Sequence, residues 1–207
     1  MSEGQNSRVQ AFSLATLRRF VPQRKPVEQC DLCSAPVSPD HDHLVEPATR
    51  KINCACQACA LLFGSQSGAR YKRVPRRARY LSQFQLTDAE WEGLLVPIQM
   101  AFFFFSSPAG KMVALYPSAA GPTESLLTLD SWEQIVAANP VLNEMEADAE
   151  ALLVNRVGPI RDYFVAPIDE CYKLVGLIRM HWRGLSGGTE VWREINKFFE
   201  ELKAKSY

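Results

Sequence analysis

Hydrophobic residues are arranged differently on the two sides of about residue 80. On the C-terminal side, RYLSQFQL alternates apolar and polar positions, and MAFFFFSS is a short aromatic run. Both patterns predict β-strands. SPAGK then predicts a turn, and MVALYPS predicts the strand that returns from it. This part of the chain is therefore expected to contain an antiparallel sheet.

Helical patterns complete the C-terminal part. TDAEWEGLL places Thr87 and Glu90 in a capping-box spacing, which predicts the start of a helix. PIDECYKLVGLIRMHW predicts a long helix with Pro167 suited to its first turn. TEVWREINKFFEELKAKSY predicts a terminal amphipathic helix, whose apolar stripe consists of Val191, Ile195, Phe198 and Leu202.

The segment that precedes the long helix contains a proline that interrupts its helical pattern. SWEQIVAANPVLNEMEADAEALLVNR is predicted to be helical in two pieces, broken near Pro140, because the residue before a proline avoids the helical conformation. DYFVAP after it is predicted to be extended. Residues 80–207 are thus expected to form an α+β domain, in which helices pack on an antiparallel sheet and the chain ends in a helix pair.

The N-terminal part divides into three shorter segments. Residues 1–28 are predicted to be an arm that contains a short amphipathic helix, SLATLRRFV, and a proline-containing linker. Residues 29–63 hold clustered cysteines and histidines, which predict a small metal-binding module of zinc-ribbon or treble-clef type. Residues 64–79 are a basic connector to the α+β domain.

Composition and hydropathy indicate a folded, soluble, cytoplasmic protein that does not insert into a membrane. Apolar residues make up 47% of the chain and charged residues 22%, as in ordinary globular domains. The N-terminus has no continuous apolar run of the secretory type, and VPIQMAFFFF is too short to span a bilayer. In a reducing compartment, clustered cysteines favour metal binding over disulfides.

Two C-x-x-C pairs predict one metal site. Cys30 and Cys33 form the first pair, and Cys56 and Cys59 form the second, with 22 residues between the pairs. Four thiolates suit tetrahedral Zn²⁺, which would hold together a module too small to fold alone. The same ligand set could bind iron, as in an iron–sulfur cluster or a rubredoxin-like electron-transfer protein.

Three further residues exceed what a four-cysteine site needs. His41, His43 and Cys54 are candidates for additional or alternative ligands, and Cys54 could also be a free thiol activated by its surroundings. The stretch also resembles a degenerate HNH nuclease module. Asp42-His43 matches that family, but Ala60 stands where the family commonly has a polar residue.

Two other segments, a basic connector and a glycine-containing loop, are candidates for binding phosphate groups or other anions. The connector ARYKRVPRRAR has six basic residues in eleven, which fits either a nucleic-acid surface or attraction to the acidic C-terminal part. Residues 1–80 have a net charge of +7 and residues 81–207 one of −7. Before the last helix, free N–H groups could bind an anion, at the loop formed by Ser186, Gly187, Gly188 and Thr189.

The combination of CDLC, HDHL, CACQACALLF and PIDECYKLVGLIRMHWRGLSGGTEVWREI resembles an uncharacterised bacterial family. That family is associated with gene clusters for nickel–iron hydrogenases of the actinobacterial type. The resemblance implies an accessory role in hydrogenase assembly or maturation, with hydrogenase subunits as protein partners. It implies no catalytic activity. Since a four-thiolate site has no open position and no catalytic set is evident, the sequence favours a non-enzymatic protein.

Overall fold

The computed structural model describes residues 27–64, 70–125, 129–184 and 187–207. Residues 1–26, which include the predicted helix SLATLRRFV and most of the predicted arm, lie outside this description. None of the helices in the described ranges is both long and apolar enough to cross a membrane.

The cysteine-rich segment folds around a small antiparallel sheet. Strands β1 (Asp42–Glu46) and β2 (Lys51–Ala55) form a hairpin, helix α1 (Gln57–Gly64) follows it, and strand β3 (Lys72–Arg73) pairs with β1. Gly64 permits a close approach here, because a Cβ atom at this position would lie 2.8 Å from Leu44 Cδ2. Part of the predicted connector therefore belongs to the same sheet as the cysteine-rich segment.

The rest of the chain is built on an antiparallel sheet, as the sequence predicts, and this sheet has six strands. The strand order is β4-β9-β8-β5-β6-β7. Its members are β4 (Arg79–Tyr80), β5 (Met100–Ser106), β6 (Lys111–Ser118), β7 (Gly121–Glu124), β8 (Glu150–Asn155) and β9 (Asp162–Pro167). The turn predicted at SPAGK joins β5 to β6, and Gly110 adopts a left-handed conformation there (φ +62°).

Helices cover both faces of this sheet. On one face lie α2 (Asp88–Gly93), α3 (Leu129–Ala138) and a 3-10 helix (Pro140–Glu144). On the other face lie α4 (Ile168–His181) and α5 (Gly188–Lys205), the predicted helix pair. The predicted stripe of α5 is buried in this second layer. The α+β class of the prediction is therefore confirmed.

The aromatic side chains of β5 pack against the helices on both faces of the sheet. Side chains alternate across a strand. Phe102 and Phe104 accordingly pack against α4 and α5, whereas Phe103 packs between Trp91 and Trp132 on the opposite face. Because both faces are covered, β5 is apolar at almost every position instead of alternating.

Two local predictions are wrong. ALLVN was predicted to be helical, but it forms strand β8 in the middle of the sheet, where residues 151–155 are all buried. Burial on both faces outweighs the helical propensity of its alanine and leucines. RYLSQFQL was predicted to be a strand, but only Arg79–Tyr80 is one. The Asn139 side chain instead satisfies the backbone of Gln85, through two hydrogen bonds of 2.8 Å.

The small sheet packs directly against the large domain. Val45 and Val74 belong to the same buried cluster as Phe102, Phe104 and helix α4. The Arg50 guanidinium lies over the ring of Phe104, 5.5 Å from its centroid. One face of the β1–β2 hairpin therefore lies against the large domain, with Arg50 over β5 and His43 hydrogen-bonded to Asp169 at the start of α4.

Candidate metal centre

The four cysteines of the two C-x-x-C pairs are brought together by a turn and a helix. Cys30 and Cys33 lie in a tight turn that is closed by a hydrogen bond from Ser34 N–H to the Cys30 carbonyl (2.8 Å). Cys56 follows β2 directly, and Cys59 lies in the first turn of α1. The turn and the start of the helix thus present two thiols each to one point, as in the treble-clef alternative of the prediction.

The spacing of the sulfur atoms fits a tetrahedral ion. The four Sγ atoms lie within 4.8 Å of one another, and Cys33 Sγ is 3.7 Å from Cys56 Sγ. Zinc–sulfur bonds of about 2.3 Å place tetrahedral sulfurs roughly 3.8 Å apart. All six cysteines of the chain are free thiols. The cysteine cluster can therefore bind a metal, as the sequence predicts.

The thiols of this cluster differ in how readily they ionise. Burial opposes ionisation of Cys30, but backbone hydrogen bonds at Cys56, Leu32 and Cys33 outweigh it and lower the pKa of Cys30 to about 6. Burial raises the pKa of Cys59 to about 12, and hydrogen bonds with the neighbouring thiols add to this effect. Backbone groups therefore favour the thiolate, the form that binds a metal, at Cys30 but not at Cys59.

His41, His43 and Cys54 form a second cluster. His43 and Cys54 are direct partners in the β1–β2 hairpin, and His41 precedes His43 by two positions. His41 lies just before β1, and its ring contacts that of His43 edge to face. One ligand atom from each residue lies within 4.8 Å of the other two. The three residues thus group with one another rather than within the four-cysteine cluster.

The two clusters lie on opposite faces of the hairpin. Leu44 and Ala55 alternate with His43 and Cys54 along the strands, and both pack with Cys30 and Cys59. Val45, on the same face as His43, packs towards α4 instead.

Each residue of the second cluster is held by a neighbour. The Nδ1 atom of His41 lies 2.8 Å from the Ser38 carbonyl, and the Nδ1 atom of His43 lies 2.6 Å from Asp169 Oδ2. The hydrogen bond to Asp169 raises the pKa of His43. Asp31 Oδ2 accepts a hydrogen bond from the Cys54 backbone N–H (2.6 Å).

The surroundings of Cys54 do not favour an activated free thiol. Burial raises the pKa of Cys54, and the nearby carboxylate of Asp31 raises it further. A thiol in these surroundings is less ionised at neutral pH than an ordinary cysteine. Neither Asp31 nor Asp169 is predicted from the sequence as a neighbour of this cluster. Asp169 is 126 residues from His43, so no local pattern links these two residues.

The basic connector is engaged largely within the molecule. Arg73 Nη2 lies 2.8 Å from Asp42 Oδ1, and Arg76 Nε lies 3.1 Å from the same atom. Other pairs join Arg70 to Glu46, Lys72 to Asp148 and Arg79 to Glu144. Lys72 and Arg79 thus pair with the acidic C-terminal part, whereas Arg70, Arg73 and Arg76 pair with acidic residues of the small sheet. Nucleic-acid binding by the connector stays a prediction.

The predicted anion-binding loop is only partly described, since Ser186 lies outside the described residues. Gly187 precedes α5 in a left-handed conformation (φ +84°), and its carbonyl accepts a hydrogen bond from Arg183 N–H (3.1 Å). A Cβ atom at Gly187 would lie 2.9 Å from Val191 and 3.1 Å from Trp182. The glycine thus has a packing role, and anion binding stays a prediction.

Comparison of the chain with curated proteins and with solved structures gave no match. A family model does match, over residues 29–206, which covers both candidate clusters and all but the last residue of the α+β domain. Its description assigns no function, and nothing in it refers to hydrogenases. The chain belongs to DUF5947, a family of unknown function.

Proposed function

We propose that this chain is a zinc-binding accessory protein in which Cys30, Cys33, Cys56 and Cys59 hold one structural Zn²⁺. The convergence of the four sulfurs within 4.8 Å carries the proposal. Zinc accepts four thiolates without a geometric preference of its own, and the paired C-x-x-C turns with a long intervening loop are typical of zinc modules. A reducing cytoplasm would keep the thiols available.

The small size of the local core supports a structural role for this zinc. The buried cluster around the site contains only Cys30, Leu44, Ala55, Cys59 and Ala60 among the described residues, and two of these are ligands. So small a core stabilises little on its own. Metal binding at such a site contributes directly to the free energy of folding.

Metal analysis of the purified full chain tests the zinc site. Cys33→Ser and Cys56→Ser are each expected to lower the zinc content by one equivalent per chain, because each removes a thiolate. Cys171→Ala is the matched control, since this buried cysteine of α4 lies outside the cluster. Unchanged zinc content in both serine variants would contradict the proposal.

The accessory role rests on the resemblance to the hydrogenase-associated family and on the closed character of a four-thiolate site. We expect the protein to act by contact with a nickel–iron hydrogenase subunit during assembly or maturation. Co-purification of tagged protein with hydrogenase subunits from the native host would support this role. A deletion strain with normal hydrogenase assembly and activity would refute it.

Iron-based electron transfer is the alternative that the same four sulfurs allow. Cys33 is exposed, which would bring a ligand sulfur close to a redox partner. The visible spectrum of protein from the native host separates the two functions. A colourless protein with stoichiometric zinc supports the structural centre, whereas a coloured protein with stoichiometric iron supports electron transfer.

A further inference from the structure

We infer that His41, His43 and Cys54 bind a second divalent transition-metal ion, separate from the four-cysteine site, with Asp169 as a positioning residue. Zn²⁺ and Co²⁺ are the ions that this ligand set suits best. Two imidazoles and one thiolate are intermediate in softness and are common ligands of such ions. This inference goes beyond the proposed structural zinc and does not depend on it.

Hairpin register creates the ligand set. His43 faces Cys54 directly across the hairpin, and His41 lies two positions before His43 on the same face. The rings of His41 and His43 meet edge to face with centroids 4.7 Å apart. With metal–ligand bonds of about 2.0–2.3 Å, small side-chain rotations let the three atoms reach one ion.

His41 supplies an independent sign that something is bound. Its side chain is only 7% exposed. The Ser38 carbonyl can only accept a hydrogen bond, so Nδ1 of His41 is the donor and Nε2 of the neutral ring carries a lone pair. That Nε2 atom is buried without a hydrogen-bond partner among the described residues. A buried polar atom is normally satisfied, and a metal ion would satisfy this one.

His43 has the neighbour that metal-binding histidines usually have. Asp169 Oδ2 accepts a hydrogen bond from His43 Nδ1 at 2.6 Å, which leaves Nε2 as the ligand atom. The carboxylate is itself fixed, because its Oδ1 accepts a hydrogen bond from Glu170 N–H (2.8 Å). A carboxylate behind a histidine sets the ring orientation and increases its basicity as a ligand.

Three protein ligands leave a fourth position open, unlike the four-cysteine site. His41 and His43 line a cleft of about 470 Å³ between the hairpin, the connector and α4. Both basic and acidic side chains line this cleft, among them Arg76, Lys173 and Glu170. The open position therefore faces a space that admits water or a small polar molecule.

Metal counting on the full chain tests the second site. Zinc-loaded wild-type protein is expected to retain two equivalents per chain after dialysis. Cys54→Ser and His41→Gln should each retain one equivalent, at the four-cysteine site. Cys33→Ser should retain one equivalent, at the second site. Cys171→Ala should retain both. The two sites are counted through different variants, so the second can fail while the four-cysteine site stands, and the reverse also holds.

Co²⁺ binding to the full chain provides a second readout. Titration in competition with a chromophoric chelator should show that Asp169→Asn weakens the second site by about 10–100-fold, the usual effect of removing such a carboxylate. Glu170→Gln, a neighbouring carboxylate change, should leave the affinity nearly unchanged. Circular dichroism checks that each variant is folded.

Retention of only one equivalent of zinc by the wild-type protein would overturn the inference, as would wild-type metal content in Cys54→Ser. An unchanged Co²⁺ affinity in Asp169→Asn would overturn the positioning role of Asp169.

Discussion

Asn139 shows how one side chain can take the place of a neighbouring strand. It is buried, accepts a hydrogen bond from Gln85 N–H and donates one to the Gln85 carbonyl, both at 2.8 Å. Its amide also donates to the Ile135 carbonyl of α3 (2.9 Å). Gln85 is thereby fixed to the helical layer through the Asn139 side chain instead of through a neighbouring strand.

Replacing Asn139 with alanine should lower the free energy of unfolding by about 1–2 kcal/mol, because three hydrogen bonds are lost and solvent replaces only some of them. Urea denaturation measures the change. Asn143→Ala is the control, since Asn143 is exposed on the 3-10 helix and its loss should change stability by less than about 0.5 kcal/mol. Equal effects of the two changes would contradict the role of Asn139.

At the residue scale, the sequence predicts which candidate ligands cluster better than it predicts the neighbours of those residues. The two C-x-x-C pairs identify their four cysteines by spacing alone, because both members of each pair lie in one turn. His43 and Cys54 are opposite each other only because of hairpin register. Asp169 is distant in the chain and has no motif of its own, so no local pattern joins it to His43.

At the scale of elements, the beginning of α5 depends on backbone geometry rather than on a capping side chain. Gly187 is left-handed, and a Cβ atom added to it would lie only 2.9–3.1 Å from Val191 and Trp182. Gly184, three residues earlier, has a similar conformation (φ +62°) but open space around its Cβ position. Substitutions at the two glycines therefore distinguish the cost of the left-handed conformation, which both share, from the cost of steric contact, which only Gly187 has.

Gly187→Ala is expected to destabilise the protein more than Gly184→Ala. The left-handed conformation should cost about 1 kcal/mol in both variants, and the contact with Val191 and Trp182 should add roughly 1–3 kcal/mol at Gly187 alone. Thermal unfolding of the two variants measures the difference. Identical melting temperatures would show that the Val191 and Trp182 side chains give way.

Element types are predicted best where one physical requirement dominates. The capping box at Thr87 and Glu90 is present as predicted, and it begins α2. Strand β8 was missed because its sequence suits a helix, whereas its place between β5 and β9 in the sheet requires a strand. That place is a property of the assembled sheet, which a single segment does not encode.

At the scale of the whole molecule, the small part that holds the four-cysteine cluster packs against the much larger part built on the six-stranded sheet. The six-stranded sheet has helices on both faces, whereas the four-cysteine cluster has few buried apolar residues of its own in the described part of the chain. Val45 and Val74 join the smaller part to the larger. The stability of the two parts should therefore respond differently to loss of metal.

Chelation of metal from the full chain should expose the cysteine-rich segment while the large sheet persists. Hydrogen exchange is the measurement: amides of β1, β2 and α1 should lose most of their protection, and those of β5 and β8 should keep it. Cys33→Ser is the control for α1, because its four-cysteine site is already lost and chelation should change the protection of α1 little further. Unchanged protection in β1, β2 and α1 of the wild-type protein would contradict a structural metal.

Cys54 joins the two candidate sites through its backbone. Its side chain faces the histidines, while its carbonyl and N–H both bond to Asp31, between Cys30 and Cys33, at 2.8 and 2.6 Å. Metal binding that orders the turn between Cys30 and Cys33 therefore also restrains the backbone of Cys54, whose side chain belongs to the second cluster. Binding at the two sites should be cooperative, and linkage requires each metal to raise the affinity for the other by the same factor.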